Sequence, residues 1–580
     1  MKNNYTLVAV NAKYIHSNLS LQYIRSYCQT KNISLNFLEL NINDNIDKII
    51  NDIYLTKSNV FAFSCYIWNI EIILKICSSL KKIIPDSIII LGGPEVSYES
   101  IELMNCHKLY IDYIIYGEGE ITFYELLRYL EDEKTDIKSI QGLIYKNNES
   151  ISMNKKRKEI SDLDSIPFPY KDISNYKNKI IYYETSRGCP FQCQYCLSSI
   201  EKSVRYFSLD RVYKDIDYFI ENQVKQVKLV DRTFNSDKKR CLSILNYIIS
   251  KNGKTNFHFE ISPKLIDEDF ITVIKKAPVN LFQFEIGIQS TNPATLRAVR
   301  RKELFKDTKS NIKSVLDLGL FHIHLDLIAG LPCEDIYSFE NSFNDAYSLQ
   351  PDMLQLGFLK LLKGSGLRTN AVKYKIEYRD YPPYEVLSTD CLSFENMLLL
   401  KNVESMLNTF YNSGRFIKSI AYIEKKYFNS PFKLYLALAD YFNKKGYLRN
   451  ALKNVDLYSI LYNFVSDSYG MTLTFNELLK YDYFVSFGMP IPSFVKRFEN
   501  SGIKALVNSF LKNEENIKKY LPELQSMDIR KKLKAIHFET FYIDVTGDLK
   551  EKEVVLFKLK NTKKECKNKI ISIDINKLKE

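Results

Sequence analysis

The stretch that decides the fold is Glu184-Thr-Ser-Arg-Gly-Cys189-Pro-Phe-Gln-Cys193-Gln-Tyr-Cys196, which begins where an apolar run ends. Three of the 11 cysteines of the chain lie in it. With 11 cysteines among 580 residues, a C-x3-C-x2-C spacing arises by chance roughly 0.004 times per chain. Chance is therefore a poor explanation, and the spacing indicates a metal site.

The three thiols allow more than one kind of metal site. A structural zinc ion needs four ligands, usually Cys or His. The nearest other candidates are Cys106 and His107 upstream and Cys241 and His258 downstream, and none has a paired spacing with the three cysteines. Three thiolates on one loop suit a [4Fe–4S] cluster with one iron open to a small molecule. Zinc and a metal-free loop remain the alternatives.

The segments around and after the cysteines predict a second, central domain. Six candidate strands alternate with helical patterns: Ile180–Glu184, Val227–Val230, Phe257–Ile261, Leu281–Ile288, His322–Ile328 and Met353–Leu359. This alternation predicts a partial (β/α)6 barrel over residues 175–365. In such barrels the chemistry gathers at the C-terminal ends of the strands, where the cysteines lie.

The remaining segments predict an α/β protein of about three domains. Residues 1–150 predict a Rossmann-like parallel sheet buried on both faces, with candidate strands Leu7–Val10, Leu35–Leu40, Val60–Ser64, Ile88–Leu91 and Ile111–Tyr116. Residues 151–174, which contain Ile166-Pro-Phe-Pro-Tyr170, predict a linker. Residues 366–580 predict a mostly helical domain with one late hairpin, Phe538–Val545 and Val554–Lys558.

Composition excludes several classes of protein. Hydrophobic residues make up 45% and charged residues 26%, which excludes disordered and collagen-like chains. No run of apolar residues is long enough for a transmembrane helix or a signal-peptide core, so we expect no membrane partner and a cytoplasmic location with reduced thiols. The net charge of +12 includes no polybasic arm, so nucleic-acid binding is not indicated.

The C-x3-C-x-aromatic-C loop after the first strand of a partial barrel resembles the signature of the radical S-adenosylmethionine (SAM) superfamily. The resemblance implies that Cys189, Cys193 and Cys196 ligate three irons of a [4Fe–4S] cluster and that SAM binds the fourth. It implies reductive cleavage of SAM to methionine and a 5′-deoxyadenosyl radical, and an electron donor such as flavodoxin or ferredoxin. Tyr195 fills the aromatic position and is a candidate SAM contact.

The same resemblance implies further SAM contacts at the strand ends. Asp231 and Thr233 stand where the family usually has a Gly-Gly-Glu-like segment. Gln289 ends the fourth barrel strand, where SAM would lie. Gly330, in a segment that resembles the strand-five motif of the family, would admit an adenine, or would form an ordinary turn.

Two acidic residues stand inside the apolar barrel strands. Glu260 would contact the cofactor, or would close an ion pair inside the barrel. Asp326 points to the barrel interior if its strand alternates, which makes it a polar contact of unknown partner.

The N-terminal domain resembles the cobalamin (B12)-binding domain of class B radical SAM proteins. The resemblance assigns Ser64, Gly92, Gly93 and Glu95 to cobalamin, although glycines after a strand also form plain turns. No Asp-x-His-x-x-Gly motif is present, so the cobalt would have no histidine below it, or the domain binds no corrin. His16 has the wrong spacing for a substitute ligand and is interpreted as a helix-start or surface residue.

The leading hypothesis is a radical SAM enzyme with cobalamin that transfers a methyl group to an unactivated carbon or phosphorus of an unknown substrate, or cyclises or rearranges it. A methylthiotransferase-like tRNA modifier is an alternative, but it would carry three further cluster cysteines in the N-terminal domain. Cys28, Cys65, Cys77 and Cys106 lack such a pattern, and Cys65 and Cys77 look like buried apolar positions. A non-catalytic iron–sulfur redox sensor is the third possibility.

Overall fold

The computed structural model describes residues 3–131, 136–147, 150–200, 203–449, 451–495, 502–559 and 570–575. The chain divides into two compact units, Met1–Met397 and Leu398–Glu580. Within the described residues, we find no helix with the length and apolar character needed to cross a bilayer.

The first unit begins with a seven-stranded sheet in the order β2-β1-β3-β4-β5-β6-β7. Its strands are β1 (Tyr5–Asn11), β2 (Asn36–Asn41), β3 (Val60–Ser64), β4 (Ile88–Gly92), β5 (Tyr113–Ile115), β6 (Leu143–Asn147) and β7 (Ser150–Met153). The first five run parallel, whereas β6 and β7 add antiparallel pairs at one edge. The predicted parallel sheet is thus confirmed, and β7 extends into the stretch predicted as a linker.

Helices cover both faces of this sheet. They are α1 (Leu19–Thr30), α2 (Ile46–Leu55), α3 (Ile70–Ile83), α4 (Ser100–Cys106) and α5 (Gly119–Glu131). Apolar side chains of the strands therefore pack into two separate cores, one on each face. This is why the strands are nearly continuous apolar runs rather than alternating ones.

The strand order places a topological switch between β1 and β3, because the chain passes from β1 to β2 on one side and to β3 on the other. Doubly wound sheets bind ligands in the crevice at the carboxyl ends of the two strands that flank such a switch. Ser64 ends β3 and therefore lies at this crevice, whereas Gly92 ends the next strand along.

The second half of the first unit is the predicted partial barrel. The strands of this segment are β8 (Ile181–Tyr183), β9 (Ser186–Arg187), β10 (Arg205–Tyr206), β11 (Gln226–Leu229), β12 (Asn256–Ile261), β13 (Phe282–Gln289), β14 (His322–Ala329) and β15 (Met353–Phe358). Six of them form one parallel sheet in the order β15-β14-β13-β12-β11-β8, and β9 pairs with β10 separately. All six predicted barrel strands are confirmed, and β8 and β15 are the two ends of an open barrel.

The helices of the barrel and a short strand pair complete the first unit. The helices are α6 (Leu209–Glu221), α7 (Lys238–Ser250), α8 (Glu268–Ile274), α9 (Pro293–Ala298), α10 (Phe305–Leu316), α11 (Ile336–Tyr347) and α12 (Gly366–Thr369). The antiparallel strands β16 (Glu377–Tyr378) and β17 (Val386–Ser388) follow.

The second unit combines helices with a small antiparallel sheet. Its segment contains α13 (Phe394–Leu407, which begins in the first unit), α14 (Ile417–Tyr427), α15 (Pro431–Lys444), α16 (Asp456–Tyr469), α17 (Leu473–Phe487), α18 (Ile503–Lys512), α19 (Glu514–Tyr520) and α20 (Ile529–Ala535). The sheet consists of β18 (Ile536–Ile543), β19 (Glu551–Leu559) and β20 (Ile570–Asp574). The predicted helical character and the hairpin are confirmed, and β20 is an addition.

Candidate functional site

The three cysteines lie on a loop that is closed at its base by the β9–β10 pair. We call residues 188–196 the cysteine loop. Ser186 pairs with Tyr206 and Arg187 with Arg205, so the two arms of the chain come together next to Gly188. Gly188 has φ +96°, and a Cβ atom there would lie 2.1 Å from the Ser203 carbonyl oxygen. Only glycine lets the two arms approach this closely.

Asp231, at the end of β11, holds the segment that leads into the cysteine loop. Its carboxylate accepts hydrogen bonds from the Thr185 amide at 2.9 Å and from the hydroxyls of Thr185 and Ser186 at 2.6 Å each. Asp231 is 1% exposed. It thus acts on the backbone of the loop, rather than facing open space as a SAM contact would.

Arg187 joins the cysteine loop to the N-terminal sheet. Its guanidinium donates to Glu184 at 2.8 Å, to Glu118 at 2.9 Å and to Glu120 at 2.6 Å. Both Glu118 and Glu120 belong to the Gly-Glu-Gly-Glu segment that follows β5. Glu118 also accepts from Arg205 at 3.0 Å, so both arms at the base of the loop bind the same carboxylate. Sequence reasoning missed this role because the partners are about 70 residues apart.

The far side of the cysteine loop binds two other segments of the barrel. The Gln194 amide donates to the Val299 carbonyl at 3.0 Å, and the Leu367 amide donates to the Gln194 carbonyl at 2.9 Å. The loop is therefore fixed by backbone hydrogen bonds at its base, next to Gly188, and on its outer side.

A cavity of about 210 Å³ lies inside the cysteine loop, at the C-terminal ends of the barrel strands. The residues predicted for the site that line it are Cys189, Cys193, Tyr195, Cys196, Thr233, Glu260, Gln289 and Asp326. Asp231 and Gly330 do not line it. A Cβ at Gly330 would point at Met397 and Val386, at 3.2 and 3.5 Å, so this glycine forms a packed turn, with φ +89°.

Arg301 and Tyr195 stand behind the cysteines. The Arg301 guanidinium donates to the Tyr195 hydroxyl at 3.2 Å and to the Gly287 carbonyl, and it lies 3.0 Å from Glu303. Burial raises the pKa of the Cys193 thiol, while the Arg301 charge and a hydrogen bond from Tyr195 lower it. The cation and the phenol thus favour the thiolate that metal binding requires. Arg301 is a site residue that no sequence pattern indicated.

Two buried acceptor atoms in this cavity have no hydrogen-bond partner among the described residues: Gln289 Oε1 and Asp326 Oδ1. Gln289 has the left-handed backbone conformation, at φ +70°, beside a β-bulge in the pairing of β13 with β14. The Gln289 side chain folds over Gly287. A Cβ atom at Gly287 would lie 2.1 Å from the side-chain nitrogen Nε2 of Gln289. A strained residue with an unpaired buried acceptor is typical of a ligand-binding position.

Charged side chains stand at the cavity wall and in the barrel interior next to it. Lys228 Nζ lies 2.9 Å from Glu285 and 4.0 Å from Glu260. Burial opposes ionisation of Glu285, but His258 and Lys228 lower its pKa to about 2. Burial and the charge of Glu285 raise the pKa of Glu260. Lys228 therefore pairs mainly with Glu285, and Glu260 stands at the cavity wall with a weaker ion pair.

At the edge of the N-terminal sheet, the residues predicted for cobalamin contact other parts of the protein. The Ser64 hydroxyl accepts from the Asn18 side chain at 2.9 Å. Gly93 has φ +110°, and a Cβ there would lie 2.6 Å from the Cys65 carbonyl oxygen. A Cβ atom at Gly92 would have more room, since it would lie 3.7 Å from its nearest neighbour, the Ile115 carbonyl oxygen.

Glu95 binds the segment that follows β15. It is 2% exposed, lies 3.2 Å from Lys363 Nζ and accepts a hydrogen bond from the Tyr384 hydroxyl. Nearby, a Cβ at Gly364 would lie within 2.7 Å of the Tyr98 ring. Lys363 and Tyr384 thus cover the loop after β4 at Glu95, and the Glu95 carboxylate already has protein partners.

His16 also connects the two halves of the first unit. Its Nδ1 lies 2.8 Å from the Tyr182 hydroxyl, and its backbone pairs with Ile180. Burial lowers the pKa of His16. His16 precedes α1, as the helix-start interpretation predicted, but it contacts the barrel rather than solvent alone.

A stacked aromatic pair, a half-buried tyrosine and an exposed tryptophan, follows β3 at the topological switch. The rings of Tyr66 and Trp68 are stacked, with centroids 4.3 Å apart and planes 7° apart. Trp68 is 46% exposed, which is unusual for the single tryptophan of a chain. Sequence reasoning missed the pair because nothing in the sequence marks an aromatic side chain as exposed.

Three of the other cysteines of the first unit are buried in its apolar cores. Cys28, Cys65 and Cys77 are each 0% exposed in the apolar cores, as predicted for the latter two. Within the described part of the chain, no three His, Cys, Asp or Glu side chains are grouped as one metal ion requires.

Three family models match the chain in succession. The B12 binding domain matches residues 5–127, the radical SAM superfamily matches residues 183–346, and a protein family of unknown function (DUF4080) matches residues 372–557. Each model matches less than half of the chain, and the first two matches fall on the N-terminal sheet and on the barrel.

The chain is similar to two proteins that are named as methyltransferases. The chain is 25% identical over 314 residues to the cobalamin-dependent radical SAM methyltransferase TokK of Streptomyces tokunonensis, covering 50% of this chain and 44% of TokK. It is 23% identical to the 2-(S-pantetheinyl)-carbapenam-3-carboxylate methyltransferase of Streptantibioticus cattleyicolor, covering 59% of this chain and 54% of that enzyme. The chain thus spans about half the length of these relatives.

The fold is also found in a solved structure. The cobalamin-dependent SAM radical enzyme OxsB, with aqua-cobalamin and SAM bound, matches with a TM-score of 0.61 at 14% identity, over 85% of this chain and 82% of OxsB. From the family models and the relatives, the chain is homologous to cobalamin-dependent radical SAM methyltransferases.

Proposed function

We propose that this protein is a radical SAM enzyme that holds a [4Fe–4S] cluster on Cys189, Cys193 and Cys196 and transfers a methyl group with the help of cobalamin. The observation that carries the proposal is the fixed cysteine loop beside a cavity with two buried acceptors, Gln289 Oε1 and Asp326 Oδ1, that have no partner in the described part of the chain. When bound, the cluster and SAM supply a 5′-deoxyadenosyl radical and cobalamin supplies a transferable methyl group.

The residues of the cavity would have different roles in binding the cluster and SAM. The three thiolates would ligate the cluster, with Arg301 and Tyr195 favouring the charged form of Cys193. Gln289 Oε1 would accept a hydrogen bond from SAM, and Glu260 stands on the same cavity wall. Asp231 and Gly330 would contribute by shaping the loop and the strand end, since neither lines the cavity.

Cobalamin would bind at the topological switch of the N-terminal sheet. Ser64 and Gly92 end the strands there, and the stacked Tyr66–Trp68 pair offers a flat apolar surface for a planar macrocycle. Gly93 and Glu95 would support the site indirectly, because their neighbours are protein atoms. The sequence contains no Asp-x-His-x-x-Gly motif, so no histidine of such a motif would help to hold the cofactor.

Methyl transfer is favoured over cyclisation because both curated relatives described above are named methyltransferases. The acceptor would be an unactivated carbon or phosphorus of a substrate that the sequence does not name. An electron donor such as flavodoxin or ferredoxin would supply the reducing electron.

Anaerobic reconstitution of the full chain with iron, sulfide and cobalamin tests the proposal. We expect broad absorbance near 400 nm, about four irons per chain and a corrin spectrum that stays with the protein. About eight irons would favour the methylthiotransferase alternative. A cluster without bound corrin would overturn the cobalamin part, and no cluster at all would overturn the whole proposal.

A further inference from the structure

A cluster of positive charge lies next to the cysteine loop, at the end of α9. Residues 297–302, which we call the basic segment, read Arg-Ala-Val-Arg-Arg-Lys and include no acidic residue. The Val299 carbonyl accepts a hydrogen bond from the Gln194 amide at 3.0 Å, and Arg301 donates to the Tyr195 hydroxyl at 3.2 Å. The basic segment is therefore bound to the cysteine loop at two points.

Three of the four cations in the basic segment face solvent. The Arg301 side chain is only 13% exposed and lies 3.0 Å from the buried Glu303, whereas Arg297, Arg300 and Lys302 are exposed. Within the described ranges, no acidic side chain forms an ion pair with these three. Arg300 has φ +56°, a conformation that glycine or asparagine usually takes at the end of a helix. An arginine is unfavourable there for the fold alone, which indicates a role for its exposed charge.

The outer side of the cysteine loop is the approach that the first unit leaves to a partner. At its base the loop is joined to the N-terminal sheet through Arg187, and its inner side faces the cavity that would hold SAM. Pro190 and Gln192 of the loop are exposed. A protein that delivers an electron to a cluster on this loop would therefore meet the basic segment.

We infer that the basic segment is part of the docking surface for the electron donor, and that this donor is an acidic redox protein. The inference rests on the proposed function and adds a partner of stated charge to it. One electron would leave the reduced carrier and enter the oxidised [4Fe–4S] cluster, with no transfer of an atom or a proton. Opposite charges would steer the carrier to the loop, and salt would weaken this attraction by screening it.

Binding of an acidic flavodoxin to the reconstituted full chain, measured by biolayer interferometry, tests the docking surface. The triple variant Arg297→Gln, Arg300→Gln and Lys302→Gln should bind flavodoxin about fivefold more weakly than the wild type at about 50 mM salt. The difference should shrink at about 300 mM salt, where the charges are screened. Equal affinities of the two proteins at low salt would overturn the inference.

The matched control neutralises three lysines at the opposite, amino-terminal end of the barrel strands. Lys171, Lys177 and Lys225 are exposed, and Lys225 directly precedes β11. The variant Lys171→Gln, Lys177→Gln and Lys225→Gln loses the same net charge, and its affinity should stay within about twofold of the wild type. An equal loss of affinity in both variants would show that net charge alone attracts the carrier, and would overturn the inference.

The formation of 5′-deoxyadenosine from SAM separates this inference from the proposed function. With reduced flavodoxin at limiting concentration, the basic-segment variant should be about fivefold slower than the wild type. With saturating dithionite, a small reductant that needs no docking surface, the two rates should be equal.

Equal losses with both reductants would mean that the basic segment acts on the SAM site itself, and would overturn the inference. A wild type that dithionite reduces but flavodoxin does not would overturn it as well, while the proposed function would stand. A wild type that forms no 5′-deoxyadenosine with dithionite would remove the proposed function itself.

Discussion

The barrel mouth and the edge of the N-terminal sheet look alike in sequence, since both present polar and glycine residues at the ends of parallel strands. They differ in hydrogen bonding. At the barrel mouth, Gln289 and Asp326 have buried acceptor atoms beside the cysteines that no described residue hydrogen-bonds. At the sheet edge, Glu95 binds Lys363 and Tyr384, and Gly93 lies against the Cys65 backbone.

Polar residues at strand ends therefore have two different roles. Polar atoms without protein partners are available for a ligand, whereas satisfied ones hold neighbouring segments together. Gln289 and Asp326 are of the first kind and lie beside the cysteine loop, whereas Glu95 is of the second kind and joins the N-terminal sheet to the segment after β15. Substitutions at the two regions should therefore have different effects.

Removal of the Arg187 side-chain charge should have the largest effect on stability. Arg187→Met leaves Glu118, Glu120 and Glu184 without their shared partner. We expect a loss of about 3–5 kcal/mol in the free energy of unfolding, measured by denaturant titration. The electron paramagnetic resonance spectrum of the reduced cluster should change as well, because Arg187 lies two residues from Cys189.

Lys179→Met is the matched control for Arg187. Lys179 lies 2.7 Å from Glu39 and also joins the barrel to the N-terminal sheet, but it does not contact the cysteine loop. Glu39 keeps a hydrogen bond from the Asn18 amide at 2.8 Å, so the loss should be smaller, about 1–3 kcal/mol. An unchanged cluster spectrum in the Arg187 variant, or an equal change in both, would show that Arg187 has no special effect on the loop.

Gly93→Ala should destabilise the protein by about 3 kcal/mol, because the new Cβ would meet the Cys65 backbone in a left-handed conformation. Gly117→Ala is the matched comparison. Gly117 also has positive φ, +81°, but a Cβ there would have no neighbour within 4 Å. The Gly117→Ala substitution should lower the free energy of unfolding by only about 1 kcal/mol. Equal losses in thermal or denaturant unfolding would contradict the close approach at Gly93.

Cobalamin binding should quench the fluorescence of Trp68, which is the single tryptophan of the chain. Free tryptophan amide at the same absorbance gives the correction for light absorbed by the corrin. Tyr66→Ala removes the ring stacked on Trp68 and should weaken cobalamin binding by about tenfold, equivalent to one stacking contact. If the protein binds corrin but its tryptophan fluorescence falls no more than that of free tryptophan amide, the cofactor binds away from Trp68.

Much of the fold follows from local patterns. The six barrel strands and the helix Pro431–Lys444 are visible in the sequence because their apolar residues recur at strand or helix spacing. The strands β6 and β7 were not predicted, since they are short and carry several polar residues. α17 was not predicted either, because Glu477 and Lys480 are buried in it as an ion pair and obscure its amphipathic pattern.

The candidate site was predictable only in part, for a similar reason. The spacing of the three cysteines lies within one loop, so the sequence displays it directly. The partners of Glu95 and of Tyr195 are distant in the sequence. Tyr384 is 289 residues from Glu95, and Arg301 is 106 residues from Tyr195. Such contacts depend on the tertiary fold, and no local pattern indicates whether a strand-end residue meets a ligand or another segment.

The central claim is that the cysteine loop holds a cluster that cleaves SAM. The most direct measurement is 5′-deoxyadenosine formed from SAM by the reconstituted, reduced full chain, compared with the triple variant Cys189→Ala, Cys193→Ala and Cys196→Ala. We predict turnover with absorbance near 400 nm in the wild type and neither in the variant. Undiminished SAM cleavage by the triple variant would contradict the account.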